Sequence, residues 1–214
     1  MQLSYLGHSS FRIKTKTVTI VLDPYSPKIG FEMPKVEADI VTISHNHDDH
    51  NFIKAVQDKP FIIDGPGEYE IQGVAITGLE TYHDKQKGEK RGGNTIYVID
   101  AEDLSICHLG DLGHELSSRA SEEVGTIDVL LIPVGGIYTL DPKNAVQVIA
   151  QLEPKLVIPM HYKTPRHNQK FAQVEKVETF LKEMGVEKKE LDKLVISKSS
   201  LSEELEVVVL KQKI

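Results

Sequence analysis

Ten residues, Thr42–Asn51 (TISHNHDDHN), constrain this chain more than any other stretch. They overlap a mostly apolar run, ADIVTIS, that reads as a strand. His45 and His47 flank Asn46, so both imidazoles leave an extended segment on the same side. Asp49 and His50 follow in a turn and can point at a second position. Turns and caps favour Asp and Asn, but three histidines within six residues have no structural reason to gather unless something binds them. Imidazole nitrogen and carboxylate oxygen are common zinc donors, and a catalytic zinc keeps a position open for water. Manganese and iron accept the same donors.

One loop cannot complete a two-metal site, so strand ends elsewhere must contribute. The candidates are His8, His83, His108, Asp111, His114, His161 and His167. Composition and spacing alone do not choose among them. His8 reads as a turn or pocket-wall residue, and His114 and His167 as exposed. Asp23, in VLDPY, ends a strand. It reads either as a turn residue before Pro24 or as the hydrogen-bond partner that a ligating imidazole needs.

The rest of the chain supplies the frame. QLSYL, SFRIK, TVTIVLD, FIID, EYEI, VAITGLETYH, NTIYVID and LSICHL read as strands separated by turn residues. NFIKAVQ reads as a short helix. SSRASEEVG is predicted as a helix capped by Ser117 or Ser118 and closed by Gly125. DPKNAVQVIAQLEP is predicted as a helix with Asp141 as N-cap and Pro142 in the first turn. NQKFAQVEKVETFLKEMG carries apolar residues at helical spacing and reads as one helix ended by Gly185. IDVLLIPVGG and KLVIPMH read as buried strands, and KLVIS and ELEVVVL as two more. Many strands with helices concentrated later imply sheets covered by helices.

The chain has 214 residues, enough for a single domain spanning 1–214. No apolar run approaches the ~20 residues of a membrane span, and the N-terminus does not read as a signal peptide. Cys107 is the one cysteine, so no internal disulfide forms, and a cytoplasmic setting is expected. The net charge of −7 does not draw nucleic acid by overall charge. Basic residues do cluster at KQKGEKR (Lys85–Arg91) and HYKTPRH (His161–His167). These are either solvated loops or the walls of an anion-binding mouth.

HNHDDH, TYHD, HLGDLG and IPMHY occur in this order along the chain, with GHSSFRI, LDPY and GPGEYEI between and before them. In these motifs the chain resembles the metallo-β-lactamase superfamily, within it the compact zinc-dependent hydrolases near the ascorbate-phosphate lactonase-like proteins. The resemblance implies an α+β fold, an αβ/βα four-layer sandwich of two facing mixed sheets with helices outside and the site at one edge. It implies that His45, His47 and His83 hold one metal, that Asp49, His50 and His161 hold a second, and that Asp111 bridges both. His108, the rival to His83, then lies behind the ligands or packs in the core. Asp111 stands where dedicated β-lactamases tend to carry cysteine or serine, so antibiotic hydrolysis would be a side activity.

Two divalent cations, most simply Zn2+, outweigh the charges of Asp49 and Asp111. The implied substrate is therefore a small anion with an ester, lactone or related bond, attacked by water activated at the metals and oriented by Asp49. A phosphodiesterase or nuclease with the same centre is the alternative, although the accessory domains of RNA-processing members have no counterpart here. A non-enzymatic metal-binding protein is the third reading. Lys163 and Arg166, which follow His161, are expected to meet the substrate in preference to Lys87 or Lys90. Tyr138 and Thr139 follow Gly135 and Gly136. Either that turn approaches an anion or its glycines only make a tight bend.

Overall fold

The computed structural model describes residues 1–213. Two mixed sheets face one another. The first has six strands in the spatial order Leu194–Val195, Gln2–Gly7, Ser10–Lys14, Thr19–Leu22, Ile40–Thr42, Phe61–Ile63. The second has seven, in the order Glu206–Val207, Leu156–Met160, Val129–Pro133, Leu104–His108, Gly93–Ala101, Val74–Tyr82, Gly67–Ile71.

Alternation along the strands of the first sheet sorts its side chains between two cores. Ile20, Leu22 and Ile40 point between the sheets, on the side to which Ile76, Ile99, Ile106 and Leu131 of the second sheet also turn. Val21 and Val41 point to the outer face, against Tyr25, Phe31 and Phe171. Strands of the second sheet such as Val129–Pro133 are buried throughout, as expected for parallel strands covered on both faces.

Helix α1 (Ser118–Val124), α2 (Pro142–Leu152) and α3 (Val177–Met184) belong to the side of the second sheet. Ser117 caps α1 by accepting from the Ala120 amide, and Asp141 caps α2 by accepting from Asn144. The helical layer on the first sheet's outer face is reduced to short 3-10 turns and irregular chain. NFIKAVQ becomes one such turn, Ile53–Ala55, followed by the short strand Val56–Gln57. The helix expected over NQKFAQVEKVETFLKEMG is broken. Gln169–Phe171 is a 3-10 turn, and the α-helix begins only at Val177. Between them the Glu175 amide donates to Gly135 and its carbonyl accepts from Lys163, so tertiary partners take groups that a helix would have used.

Parallel pairing brings functional loops to one edge. Ile20 pairs with Ile40 and Leu22 with Thr42, so Asp23 and the His45 loop emerge side by side. His108 pairs with Leu131, and Pro133 with Met160, so the turns at Asp111, Gly135 and His161 emerge together from the second sheet. The Tyr97 hydroxyl ties the sheets at this edge by donating to the Ile43 carbonyl at 2.9 Å.

Candidate metal centre

Asp111 sits at the centre of the edge. Its Oδ2 lies 3.2 Å from His50 Nε2, 3.3 Å from His83 Nε2, 3.3 Å from His161 Nε2 and 4.0 Å from His45 Nε2. Donor atoms of His45, His47 and His83 converge in one group, and those of Asp49, His50, His161 and His8 in another. His45, His50 and Asp111 form a third group that overlaps both. The structure thus brings together all seven residues expected as ligands, and adds His8.

Local sequence explains each placement. The turn that presents Asp111 needs Gly110, whose φ is +55° and whose absent side chain leaves room for Asn94 and Ser44. Asn94 fixes that turn, accepting from the Asp111 amide at 2.9 Å and donating to the Leu109 carbonyl at 3.0 Å. Gly113 lets the second half of the turn pass the backbone of His83, where a Cβ would come within 2.5 Å. Gly135 packs against the His161 carbonyl with no space for a side chain, which supports the tight-turn reading of that glycine.

A single buried carboxylate organises the ligand loop. Asp23 Oδ1 accepts from the Ser44 amide at 2.7 Å, and Oδ2 lies 2.6 Å from Ser44 Oγ and 2.7 Å from His50 Nδ1. Burial alone would raise its pKa, but His50 and His108 outweigh that and hold it below the usual carboxylate value. An ionised carboxylate only accepts, so His50 Nδ1 carries a proton and Ser44 spends its own on Asp23. The Ser44 oxygen, 2.9 Å from His45 Nδ1, must then accept from that nitrogen. When neutral, both imidazoles are left with a bare Nε2. Those two atoms and Asp111 Oδ1 are buried without a hydrogen-bond partner. Buried polar atoms are rarely left so, and three unpartnered lone-pair donors facing one another fit a cation. His83 Nδ1 and His161 Nδ1 also lack a protein partner.

Burial opposes charge on His50, yet Asp111 and Asp23 on either side outweigh it and hold its pKa well above the ordinary value. Burial and the neighbouring His50 push His45 down to about 2. Burial would raise Asp111, but His161 and His50 hold it well below the carboxylate range. Neutral imidazole and ionised carboxylate are the forms that bind metal, so His45 and Asp111 are ready as they stand, whereas His50 must give up a proton to bind.

Of the remaining candidates, His108 is buried and its Nε2 donates to the Ser9 carbonyl at 2.9 Å, outside the converging groups of candidate ligands. His167 is a correction to the exposed reading. It is buried against Phe31 and Phe171, at ring separations of 5.1 and 5.0 Å. His114 is half-buried and accepts from the Tyr82 amide beside His83.

A cavity of about 360 Å³ opens over the centre, lined by His47, Asp49, His83, Asp111 and His161 on one side. Tyr138, Lys90, Arg91 and Lys170 contribute to its wall. This corrects two expectations about the cations. Lys163 is turned away, its Nζ donating to the Phe171 carbonyl at 2.8 Å. Arg166 stacks on Phe31 at 4.8 Å and does not line the cavity. Lys90 and Arg91 replace them because Asp84 folds their loop inward. Its oxygens accept from the amides of Gln86, Gly88, Lys90 and Arg91 at 2.7 to 3.1 Å. Asn94, Ser44, Asp84 and Lys170 carried no signal in the sequence that marked them, since each is common in ordinary turns.

Comparison with known proteins fits this geometry. The family described as the beta-lactamase superfamily domain matches residues 2–161. A solved structure from Thermotoga maritima, described as a Zn-dependent hydrolase of the metallo-beta-lactamase superfamily, is 38% identical, with 98% of this chain and 97% of that chain covered and a TM-score of 0.81. A metal-dependent hydrolase of Thermococcus kodakarensis is 30% identical over 193 residues, covering 77% of this chain and 85% of that protein. One from Methanopyrus kandleri is 28% identical over 195 residues, with the same coverage. The chain belongs to the beta-lactamase superfamily, among its metal-dependent hydrolases.

Proposed function

We propose that this hydrolase uses two metal ions, His45, His47 and His83 holding one, Asp49, His50 and His161 the other, and Asp111 standing between them. The observation that carries the reading is Asp111 Oδ2 ringed by imidazole nitrogens while Oδ1, His45 Nε2 and His50 Nε2 stay unpartnered. Three imidazoles at one ion and two with a carboxylate at the other suit zinc, and manganese or iron accept the same set. When bound, such ions lower the pKa of water toward neutrality and polarise the bond to be cleaved.

The chain's own groups supply the rest. Asp49 borders the cavity, and accepting a hydrogen bond from the attacking water would orient it. Lys90, Arg91 and Lys170 give the cavity a cationic wall on a protein whose net charge is −7. Tyr138 lies beneath the Arg91 guanidinium, which is 5.4 Å from its ring centre. This wall favours a small anionic substrate, and the cavity is of small-ligand size. The bond cleaved is an ester, a lactone or a relative of these. Cys107, buried and single, suits a reducing cytoplasm.

A panel of a carboxylated lactone, an anionic aryl ester, a phosphodiester and short RNA tests the reading on metal-loaded protein. Turnover of the lactone or ester, abolished by Asp49→Ala, is expected. Preference for the phosphodiester or RNA moves the chemistry to the alternative, and no turnover of any leaves a metal-binding protein.

A further inference from the structure

His8 lies in the turn between the strands Gln2–Gly7 and Ser10–Lys14, in the left-handed region at φ +57°. Such a conformation is uncommon outside glycine and persists only where its surroundings over-determine it. Two bonds do so here. The His8 carbonyl accepts from the Tyr5 hydroxyl at 2.7 Å and from the His161 amide at 2.8 Å. The ring is buried, 4.3 Å from the ring of His161 and 5.2 Å from Phe171. Its Nε2 lies 3.4 Å from Asp49 Oδ2 and has no other partner.

By position alone His8 could be a further metal ligand. The protons argue otherwise. The Thr164 amide donates to His167 Nδ1 at 3.1 Å, so that nitrogen bears a lone pair. Neutral His167 then carries its proton on Nε2. That Nε2 is 3.3 Å from His8 Nδ1, which must accept. The single proton of neutral His8 is therefore on Nε2, aimed at Asp49. Every hydrogen in the row, from Thr164 through His167 and His8, points toward the carboxylate.

We infer that His8 is a positioning residue for Asp49, its Nε2–H fixing Oδ2, and that His167 sets the His8 tautomer from the far side of the ring. The inference rests on the proposed role of Asp49 as a metal ligand. One carboxylate oxygen is held, which leaves the other free to face the ion. The 3.4 Å separation is long for a hydrogen bond, and contacts of this kind often tighten only in the loaded site. An unprotonated His8 Nε2 would be a ligand. A protonated one is a support, and the row Thr164–His167–His8 selects the second.

The test uses protein labelled with 15N at histidine, metal-free and loaded with 113Cd, together with His8→Phe, His8→Gln and His167→Phe. In the metal-free spectrum His8 and His167 are expected as Nε2–H tautomers, and His167→Phe should release His8 from that form. In the loaded protein 113Cd coupling is expected at His50 and His161 and not at His8. His8→Phe should weaken binding of one of the two ions by about 10- to 100-fold, as loss of a partner behind a ligand does. His8→Gln, whose amide N–H can replace the imidazole donor, should recover most of that affinity. Cadmium coupling at His8, an Nδ1–H tautomer there, or unchanged affinity in His8→Phe overturns the inference. Failure to bind cadmium at all counts against the metal site, while the metal-free spectrum still decides the proton arrangement of His8.

Discussion

Asp23 Oδ2 and His50 Nδ1 are 2.7 Å apart in a fully buried contact, and the same oxygen receives the Ser44 hydroxyl. One carboxylate therefore dictates the tautomers of His50 and, through Ser44, of His45. Replacing it by the isosteric amide removes that control without changing volume. Asp23→Asn should lose metal affinity by about 10- to 100-fold. It should also destabilise the metal-free protein by about 1–3 kcal/mol, because buried donors are left unmatched. Metal competition with a chromophoric chelator and urea unfolding measure the two effects. Wild-type affinity in the variant would remove Asp23 from the site.

Asp84 and Arg91 form the second testable pair. Burial alone would raise the Asp84 pKa, but the amides of Arg91, Gln86, Lys90 and Gly88 bind its ionised form and hold it below the usual value. Asp84→Ala removes the acceptor of four amides and should loosen the loop that brings Lys90 and Arg91 to the cavity. Steady-state kinetics with an anionic ester should show a raised KM for Asp84→Ala and for Arg91→Ala, with kcat changed less. Equal KM for the wild type and both variants would show that the cationic wall does not meet substrate.

The aromatic burial of His167 predicts an acid-sensitive fold. Burial and the adjacent His8 lower its pKa to about 3, against an ordinary value of 6.5. The unfolded chain therefore takes up a proton at a higher pH than the folded one. Stability from this group is fully present above pH 6.5 and declines as pH falls toward the folded value. His8, lowered to about 4 by burial and by His161, acts in the same direction. For metal-free protein, His167→Gln should lose less unfolding free energy than wild type between pH 6.5 and mildly acidic solution. Parallel curves for the two proteins would contradict this.

Cys107 is buried in the core on the second sheet, on the face opposite His108, and burial pushes its thiol far above the ordinary pKa. Thiolate is the reactive form. Native protein should resist alkylation by iodoacetamide at neutral pH and react fully once unfolded, as mass spectrometry would show. Rapid labelling of native protein would mean that this strand opens.

Much of the candidate metal centre was legible because its chemistry is concentrated. Three histidines after a strand have few uses, and the order of the later His and Asp motifs matches parallel strands that end at one edge. Helix caps such as Ser117 and Asp141 were legible for a similar reason, since the signal and the bond lie within three residues. The failures involved distant partners. Phe171 and Val174 have helical spacing, yet they belong to the core beneath the first sheet, and the chain breaks there to bond Gly135 and Lys163. Lys163 sits two residues from a candidate ligand, but the Phe171 carbonyl holds its ammonium group. Lys90 and Arg91 reach the cavity only because Asp84 folds their loop. His8 looked like a turn residue, and it is one, but its ring faces Asp49 through a contact 41 residues away in sequence.

The central claim is that His45, His47, His83, Asp49, His50, Asp111 and His161 together cage a pair of ions. Elemental analysis of chelator-stripped protein after dialysis against zinc tests it most directly. Two tightly held ions per chain are predicted, falling to one or none in Asp111→Ala while the variant keeps its far-ultraviolet circular dichroism. A well-folded wild type that retains no ion, or an Asp111→Ala variant that retains both, would contradict it.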